Sequence, residues 1–388
     1  MLIQDVDAAI DDTLARLQLL EDRDTWVIPQ SGGKDSRATG QLPAILIEQG
    51  RLKPPRRVVL YLADTLLEFE VFAAQAQAGL RDLAAKYKSL NVETYAFTTL
   101  PLPQDDFWVR IIGYGYLPPT AKMRSCTDKL KITPARKVLR NEGWANAPLL
   151  LGVRYGESDR RDEALNRDND RILTCARTGE CGPDYLYLKL TNRAASRQRA
   201  VAPIINWRAC AVWDFLTLIA PQYGFDNRAL AAVYGPDGEM RYGCWTCPLI
   251  FQDRTGDYLG GTDPKVRELV RFANSIFRKE GAAWQVENRE IFVRGGVAKD
   301  GLLSLDFCRR VFDWLVDFER RREYPLLTGW QKQMIRAIWQ WRASLPEMQA
   351  GHGGQLPLDF SQDSPFLKLR SRNGHNPQLS LPEVVNDL

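Results

Sequence analysis

The chain has 388 residues and a formal net charge of +4, with 45% of its residues hydrophobic and 26% charged. These values describe a soluble globular chain of roughly two domains with a sizeable core, and the total charge carries no strong polyanion footprint. No stretch approaches the roughly 20 apolar residues of a membrane span, and the N-terminus, with Asp5, Asp7, Asp11 and Asp12, does not read as a signal peptide. A cytoplasmic protein without membrane contact is expected, so its seven cysteines read as thiols or metal ligands rather than a disulfide framework. His352 and His375 both lie in a polar tail, which argues against imidazole catalysis.

In chain order, Ile3, Val6, Ile10, Leu14 and Leu17 recur at helical spacing and predict an amphipathic opening helix. Trp26-Val27-Ile28 then reads as a strand that feeds Ser31-Gly32-Gly33-Lys34-Asp35-Ser36, and Arg37-Ala38-Thr39 starts a helix. A strand leading through two glycines to a helix N-terminus aims backbone N–H groups and the helix dipole at one point, which suits an anion. The glycines permit close approach of the main chain, while Ser31 and Ser36 add hydroxyls and Lys34 adds charge. A Walker A loop would need glycine at position 28 and Ser or Thr at 35, where this chain has Ile28 and Asp35.

Gly40 and Pro43 predict a kink or two short helices after the loop. Arg57 to Ala63 reads as a strand buried on both faces, ending at Asp64-Thr65. A helix over 67–88, a strand over Val92 to Phe97 and a fourth strand over Pro148 to Val153 follow. This alternation predicts an α/β fold with a doubly wound parallel sheet and ligands at the carboxyl ends of its strands. The glycine loop, Asp64 and Arg154 all fall at such ends. From residue 206 the pattern becomes long, Trp-rich and helical, with Phe307, Val311, Leu315 and Phe318 forming one core stripe. The expected division is a nucleotide-binding domain over 1–205, a helical region bearing a Cys-x-x-Cys over 206–345, and a disordered tail over 346–388.

Several segments point to chemistry. Asp64-Thr65, with Glu68, can bind ribose hydroxyls or an adenine amino group, hold Mg²⁺ through water, or simply cap a helix. Lys122-Met123-Arg124-Ser125-Cys126-Thr127-Asp128-Lys129-Leu130-Lys131 sets one thiol among cations, which favours the thiolate of a nucleophile or sulfur carrier. Arg154 and Arg161 can clamp phosphate, with Glu157 orienting one of them. Cys244-Trp245-Thr246-Cys247 points two sulfurs at one centre, well beyond the sheet in sequence, and Cys175 and Cys181 are available as the other two of a four-sulfur site. All-thiolate ligation suits an iron–sulfur cluster or Zn²⁺. Cys210 and Cys308 sit in apolar helical patterns and read as core residues.

Taken in order, Ser31 to Ser36, Asp64-Thr65, Cys126 to Lys131, Gly152-x-Arg154-x-x-Glu157-Ser158-x-x-Arg161, Pro203-Ile204-x-x-Trp207 and Gly243-Cys244-x-x-Cys247 resemble the PAPS-reductase-like superfamily of PP-loop ATP pyrophosphatases. With Arg309-Arg310, Leu315 and the Trp330-to-Trp339 segment added, the chain looks most like the DndC sulfurtransferases of DNA phosphorothioation or their SspD counterparts. The resemblance implies ATP bound with Mg²⁺ by Ser31, Gly32, Gly33, Lys34, Asp35, Ser36, Asp64, Thr65, Arg154 and Glu157. It implies chemistry at Cys126, Lys34, Asp35, Arg154 and Arg161, and a [4Fe–4S] cluster, in preference to Zn²⁺, on Cys175, Cys181, Cys244 and Cys247. It further implies DNA as acceptor, a cysteine desulfurase as sulfur donor, and other proteins of the phosphorothioation system as partners. The same superfamily also contains PAPS and adenylyl-sulfate reductases and tRNA thiolases, which are the alternative activities. Two departures stand out: the cysteines expected just before the Cys-x-x-Cys are absent, and Ala211-Val212-Trp213 stands where the family has Asp-Val-Trp; Ser125 also breaks the paired cysteines of the reductases. In the reductase arrangement Cys126 would itself join Cys244 and Cys247 as a ligand.

Overall fold

Side chains alternate along the central strands and divide the interior into two layers. Trp26 and Ile28, with Val58, Leu60 and Leu62, face one core, whereas Val27, Val59 and Phe97 face the other. Strands covered on both faces must be apolar at nearly every position, which is why Arg57 to Ala63 reads as a continuous run. The computed structural model describes residues 5–157, 162–163, 187–188, 200–235, 243–250, 254–278, 280–294 and 297–343.

The order is α1 (Val6–Gln18), β1 (Thr25–Gln30), α2 (Lys34–Glu48), β2 (Arg57–Ala63), α3 (Glu70–Ser89), β3 (Glu93–Thr99), α4 (Thr133–Asn141), β4 (Leu149–Leu150), β5 (Tyr187–Leu188) and β6 (Ala200–Val201). Strands run β3-β2-β1-β4-β6-β5 across the sheet. The first five in that order pair in parallel, and β5 joins β6 antiparallel at the edge. The fold is therefore α/β around a parallel sheet, with α1, α2 and α3 on one face and α4 on the other. The chain leaves β1 toward β2 and β3, then returns to place β4 on β1's other side, so a topological switch point opens between β1 and β4.

One expectation fails here: α2 is a single helix despite Gly40 and Pro43. Tertiary packing overrides propensity. A Cβ at position 40 would lie 2.6 Å from Leu83 and 2.8 Å from the Gln30 amide. The Gly40 carbonyl accepts a 3.0 Å hydrogen bond from the Tyr87 hydroxyl, which braces the turn that Pro43 weakens.

Beyond β6 lie α5 (Ala209–Asp214), α6 (Arg228–Val233), α7 (Arg254–Thr262), α8 (Pro264–Phe277), β7 (Arg289–Arg294), β8 (Val297–Leu303), α9 (Leu305–Arg322) and α10 (Gly329–Ala343). Residues from Ile204 to Tyr234 pack into the same core as α2 and α3. The helices from α8 onward form a second core with Phe69, Phe72 and the π-helical turn Val109–Gly113. The C-terminal region is helical as expected, except for the antiparallel β7–β8 hairpin. A Gly295-Gly296 pair between two apolar runs was its sequence signal. Cys308 is buried in the second core, but Cys210 is exposed on α5, so only one of the two is a core cysteine. Among the described residues no helix is long and apolar enough to cross a membrane.

Within the second core, Asp106 ties α10 to the π-helical turn. Its Oδ1 accepts the Val109 N–H at 3.0 Å and its Oδ2 accepts the Gln331 amide of α10 at 2.8 Å. Burial pushes this carboxyl up to about 6, against the opposing pull of those donors. Since that value exceeds the ordinary one, between pH ~4 and ~6 the folded chain keeps a proton that the unfolded chain has released. Stability therefore falls as pH rises through that window, by about 3 kcal/mol, and levels off above it. Asp106→Asn removes this slope, measured as the urea midpoint at pH 4, 5 and 7.

Candidate functional site

The glycine loop is built from within. Ser36 Oγ accepts the Ser31 N–H at 3.1 Å and donates to the Gly33 carbonyl at 2.9 Å. The two serine hydroxyls lie 2.9 Å apart. Gly32 takes φ 78°, a left-handed turn that favours glycine. Gly33 caps α2 without a side chain, so the first backbone N–H groups of the helix open toward the loop.

At the switch point the loop meets the chain leaving β4. A Cβ on Gly152 would fall 2.6 Å from the Ser36 nitrogen and 2.7 Å from the Asp35 carbonyl, so only glycine lets the two backbones pass. Two residues on, Arg154 Nε donates to Asp35 Oδ1 at 2.7 Å. Lys34 Nζ lies 3.4 Å from Asp35 Oδ2. Arg154 is only 6% exposed, and Asp35 orients it. Instead of a free phosphate clamp, the structure has a cation–carboxylate–cation set in which Asp35 aligns the two charges. Glu157 also lies near this group, close enough to act electrostatically on Tyr234.

The second half of the site lies at the end of β2. Asp64 Oδ1 accepts the Leu66 N–H at 2.7 Å and holds that leucine at φ 61°. Helix α3 starts only at Glu70, so neither Asp64 nor Thr65 caps it. Burial, reinforced by Glu68, raises the Asp64 carboxyl despite the Leu66 N–H and Lys131. The buried Thr65 hydroxyl donates to the Glu68 carboxylate at 2.8 Å and lies 3.4 Å from Cys244 Sγ. Trp245 N–H donates to the Leu67 carbonyl at 3.0 Å, and its ring packs 5.8 Å from Trp108. The Cys-x-x-Cys, distant from the sheet in sequence, is thus docked on a strand end in space.

Cys126 reaches the same region from the π-helical turn Thr127–Ile132, where it is half-buried. Cys247 feels its charge: burial raises the Cys247 thiol, Cys126 adds to the shift, and the Leu249 N–H and Arg278 oppose it. Burial pushes Cys244 up to about 12, with Glu68 adding and Lys131 opposing. Burial alone would lower the Lys131 ammonium, but Cys244, Glu68, Cys126 and Asp64 together raise it. Lys131, 3.9 Å from Glu68, is the cation of this run that lies at the turn on which Cys244 docks. Lys129 turns instead to Asp105 at 3.1 Å, and Lys122 and Arg124 are exposed.

The structure thus packs Cys126 against the same core as Cys244, sets Cys244 on the Thr65–Glu68 turn, and gathers the loop, Asp35, Arg154 and Glu157 at the switch point. Cys175, Cys181, Ser158 and Arg161 lie outside the described residues. The basic run Arg320 to Arg322 at the end of α9 is ion-paired: Arg321 and Arg322 to Glu268 at 2.7 Å each, and Arg320 to Asp317 at 2.7 Å. Two participants were not singled out by sequence reasoning. Lys131 was one cation among several in its run. Tyr234, whose hydroxyl accepts the Lys34 N–H at 3.0 Å, carried no motif at all.

As a site for an iron–sulfur cluster or zinc, the three thiols are chemically suited, being soft donors with a cation beside them. Among the described residues the buried Thr246 hydroxyl between Cys244 and Cys247 has no hydrogen-bond partner. Among the described residues no three such donors already surround one metal-sized point, so the thiols share a region without forming a closed cage.

No family model and no curated protein matches the chain. Among solved structures it is similar to phosphoadenylyl-sulfate (PAPS) reductase from Candida auris in a phosphate complex, at 14% identity and TM-score 0.34, covering 62% of this chain and 94% of that one. It is also similar to the U34-tRNA thiolase NcsA from Methanococcus maripaludis with its [4Fe-4S] cluster, at 12% identity and TM-score 0.27, covering 90% and 84% of the two chains. At these values the likeness carries no functional argument, and the site must be judged by its own residues.

The approach at Gly152 is open to a direct test. Gly152→Ala forces the loop away from β4 and is expected to destabilise the chain by about 1–3 kcal/mol, as overpacking against backbone does. Chemical denaturation measures the loss, and any folded variant should bind ATP more weakly by calorimetry.

Proposed function

We propose that the protein is an ATP-dependent sulfurtransferase that activates a DNA backbone phosphate by adenylation, releases pyrophosphate, and replaces a non-bridging oxygen with sulfur. One observation supports this above the rest. A phosphate-type loop and the Cys244 thiol stand at the carboxyl ends of neighbouring strands, β1 and β2, with the Asp64-to-Glu68 segment at the thiol end and Cys126 packed against the same core as Cys244. Chemistry that joins nucleotide activation to sulfur delivery needs those two halves side by side.

In this reading ATP lies across Ser31 to Ser36, with its phosphates on the α2 N-terminus and the Lys34 ammonium. Asp35 holds Lys34 and Arg154 where charge builds on the α-phosphate and the departing pyrophosphate. Asp64 serves the nucleoside or a water-bound Mg²⁺; Asp35 suits Mg²⁺ less, because two cations already engage it. Cys126, Cys244 and Cys247 would hold the [4Fe–4S] cluster, with Lys131 stabilising the thiolates. When bound, such a cluster supplies a sulfur-affine iron centre beside the nucleotide. This ligand set takes Cys126 from the carrier role and follows the shared region of the three thiols.

The activity is tested by incubating the anaerobically purified protein with ATP, DNA, cysteine, a cysteine desulfurase and a dithiol, which supplies the two electrons that cleave the persulfide S–S bond, then digesting the DNA for mass spectrometry. Phosphorothioate dinucleotides and pyrophosphate are expected, with Lys34→Ala lowering pyrophosphate release by about 10²–10³-fold. Sulfur on a tRNA base instead would make the protein a thiolase. Sulfite from a sulfonucleotide without ATP turnover would make it a reductase.

The ligand set is tested separately by iron and sulfide assay. Cys126→Ser, Cys244→Ser and Cys247→Ser should each lose most of the iron, while Cys175→Ser and Cys181→Ser keep it. The reverse pattern for Cys126, Cys175 and Cys181 would return Cys126 to the carrier role.

A further inference from the structure

Tyr234 follows α6 and comes to the glycine loop from nearly 200 residues away. Its hydroxyl accepts the backbone N–H of Lys34, the first residue of α2, at 3.0 Å. The same oxygen lies 3.0 Å from where a Cβ on Gly33 would stand. Lys34 Nζ sits over the phenol ring, 5.0 Å from its centroid. Trp213 packs edge-on against the ring at 5.1 Å and 80°, and the side chain is only 5% exposed. One residue thus engages both groups of Lys34 that an anion would use, its N–H and its ammonium.

We infer that the Tyr234 hydroxyl occupies the seat of a phosphate oxygen at the glycine loop, and that a nucleotide must displace it to bind there. The inference rests on the loop being a nucleotide phosphate site, as proposed above. A neutral phenol oxygen is a weaker acceptor than a phosphate oxygen, so the incoming anion wins the exchange. Burial, with Asp35 and Glu157 nearby, keeps the phenol protonated by raising it well above the ordinary tyrosine range despite the Lys34 N–H. The stand-in meets a physical need. It satisfies a buried donor at the helix N-terminus when no ligand is present, and it does so by competing with the ligand. Tyr234 is in this sense a specificity device, because a ligand too weak as an acceptor cannot evict it.

The test is calorimetric titration of ATP, without DNA, into wild type and Tyr234→Phe. Phenylalanine keeps the ring under Lys34 and against Trp213 and removes only the oxygen. With the competitor gone, ATP affinity should rise about three- to tenfold, the worth of one hydrogen bond. The melting temperature of the ligand-free variant should fall at the same time, because the Lys34 N–H loses its partner. Unchanged or weaker ATP binding by Tyr234→Phe overturns the inference and leaves the loop's nucleotide role intact. If neither protein binds ATP, the loop reading itself fails, and this inference fails with it. Should Tyr234→Phe not fold, Tyr234→Leu takes its place with the same expected direction.

Discussion

The structure depends on a close passage of two backbones at the switch point of the sheet. Gly152, leaving β4, runs against the main chain of Asp35 and Ser36 with no room for a side chain. That contact brings Arg154 within 2.7 Å of Asp35 and sets a buried ion pair at the mouth of the loop. A buried guanidinium is costly unless it is paired and hydrogen-bonded, so the pair specifies one loop geometry more than it adds stability. Everything proposed for ATP follows from that single arrangement. Lys34 is fixed from its other side by the same carboxylate.

The thiol half relies on a different device. Thr65 and Glu68 form a tight polar turn at the end of β2, and Cys244 docks on it. Trp245 and Trp108 seal the apolar side of that junction. Cys126 arrives from a π-helical turn, whose wider spacing changes which residues share a face with the thiol. Lys131 joins Glu68 and the thiols in consequence, while Lys129 turns to Asp105. In the second core, Asp106 with Gln331 ties α10 to the π-helical turn Val109–Gly113.

Several features were legible because they are local. The strand–glycine–helix pattern of Ser31 to Ser36, the apolar run of β2, and Asp64 and Arg154 at strand ends each depend on a few neighbouring residues. The single helix α2 was not legible, since Leu83, Gln30 and Tyr87 come from elsewhere to offset Gly40 and Pro43. The carboxylate that orients Arg154 was not legible for a related reason, since Asp35 lies 119 residues away in the chain. Cys210 and Cys308 share a helical apolar pattern, yet only Cys308 is buried, because periodicity marks a face without naming what covers it.

By itself the sequence determined the α/β class, the anion-receiving loop and the presence of thiols beside cations, because each is encoded in short-range pattern and residue chemistry. Only the tertiary structure decided that Cys126 shares a region with Cys244 and Cys247, that Asp35 claims Arg154, and that Tyr234 sits on the Lys34 N–H. Those pairings join residues separated by more than a hundred positions. Which distant side chains meet is set by strand order and by how the helices close on the sheet, and no local pattern carries that information.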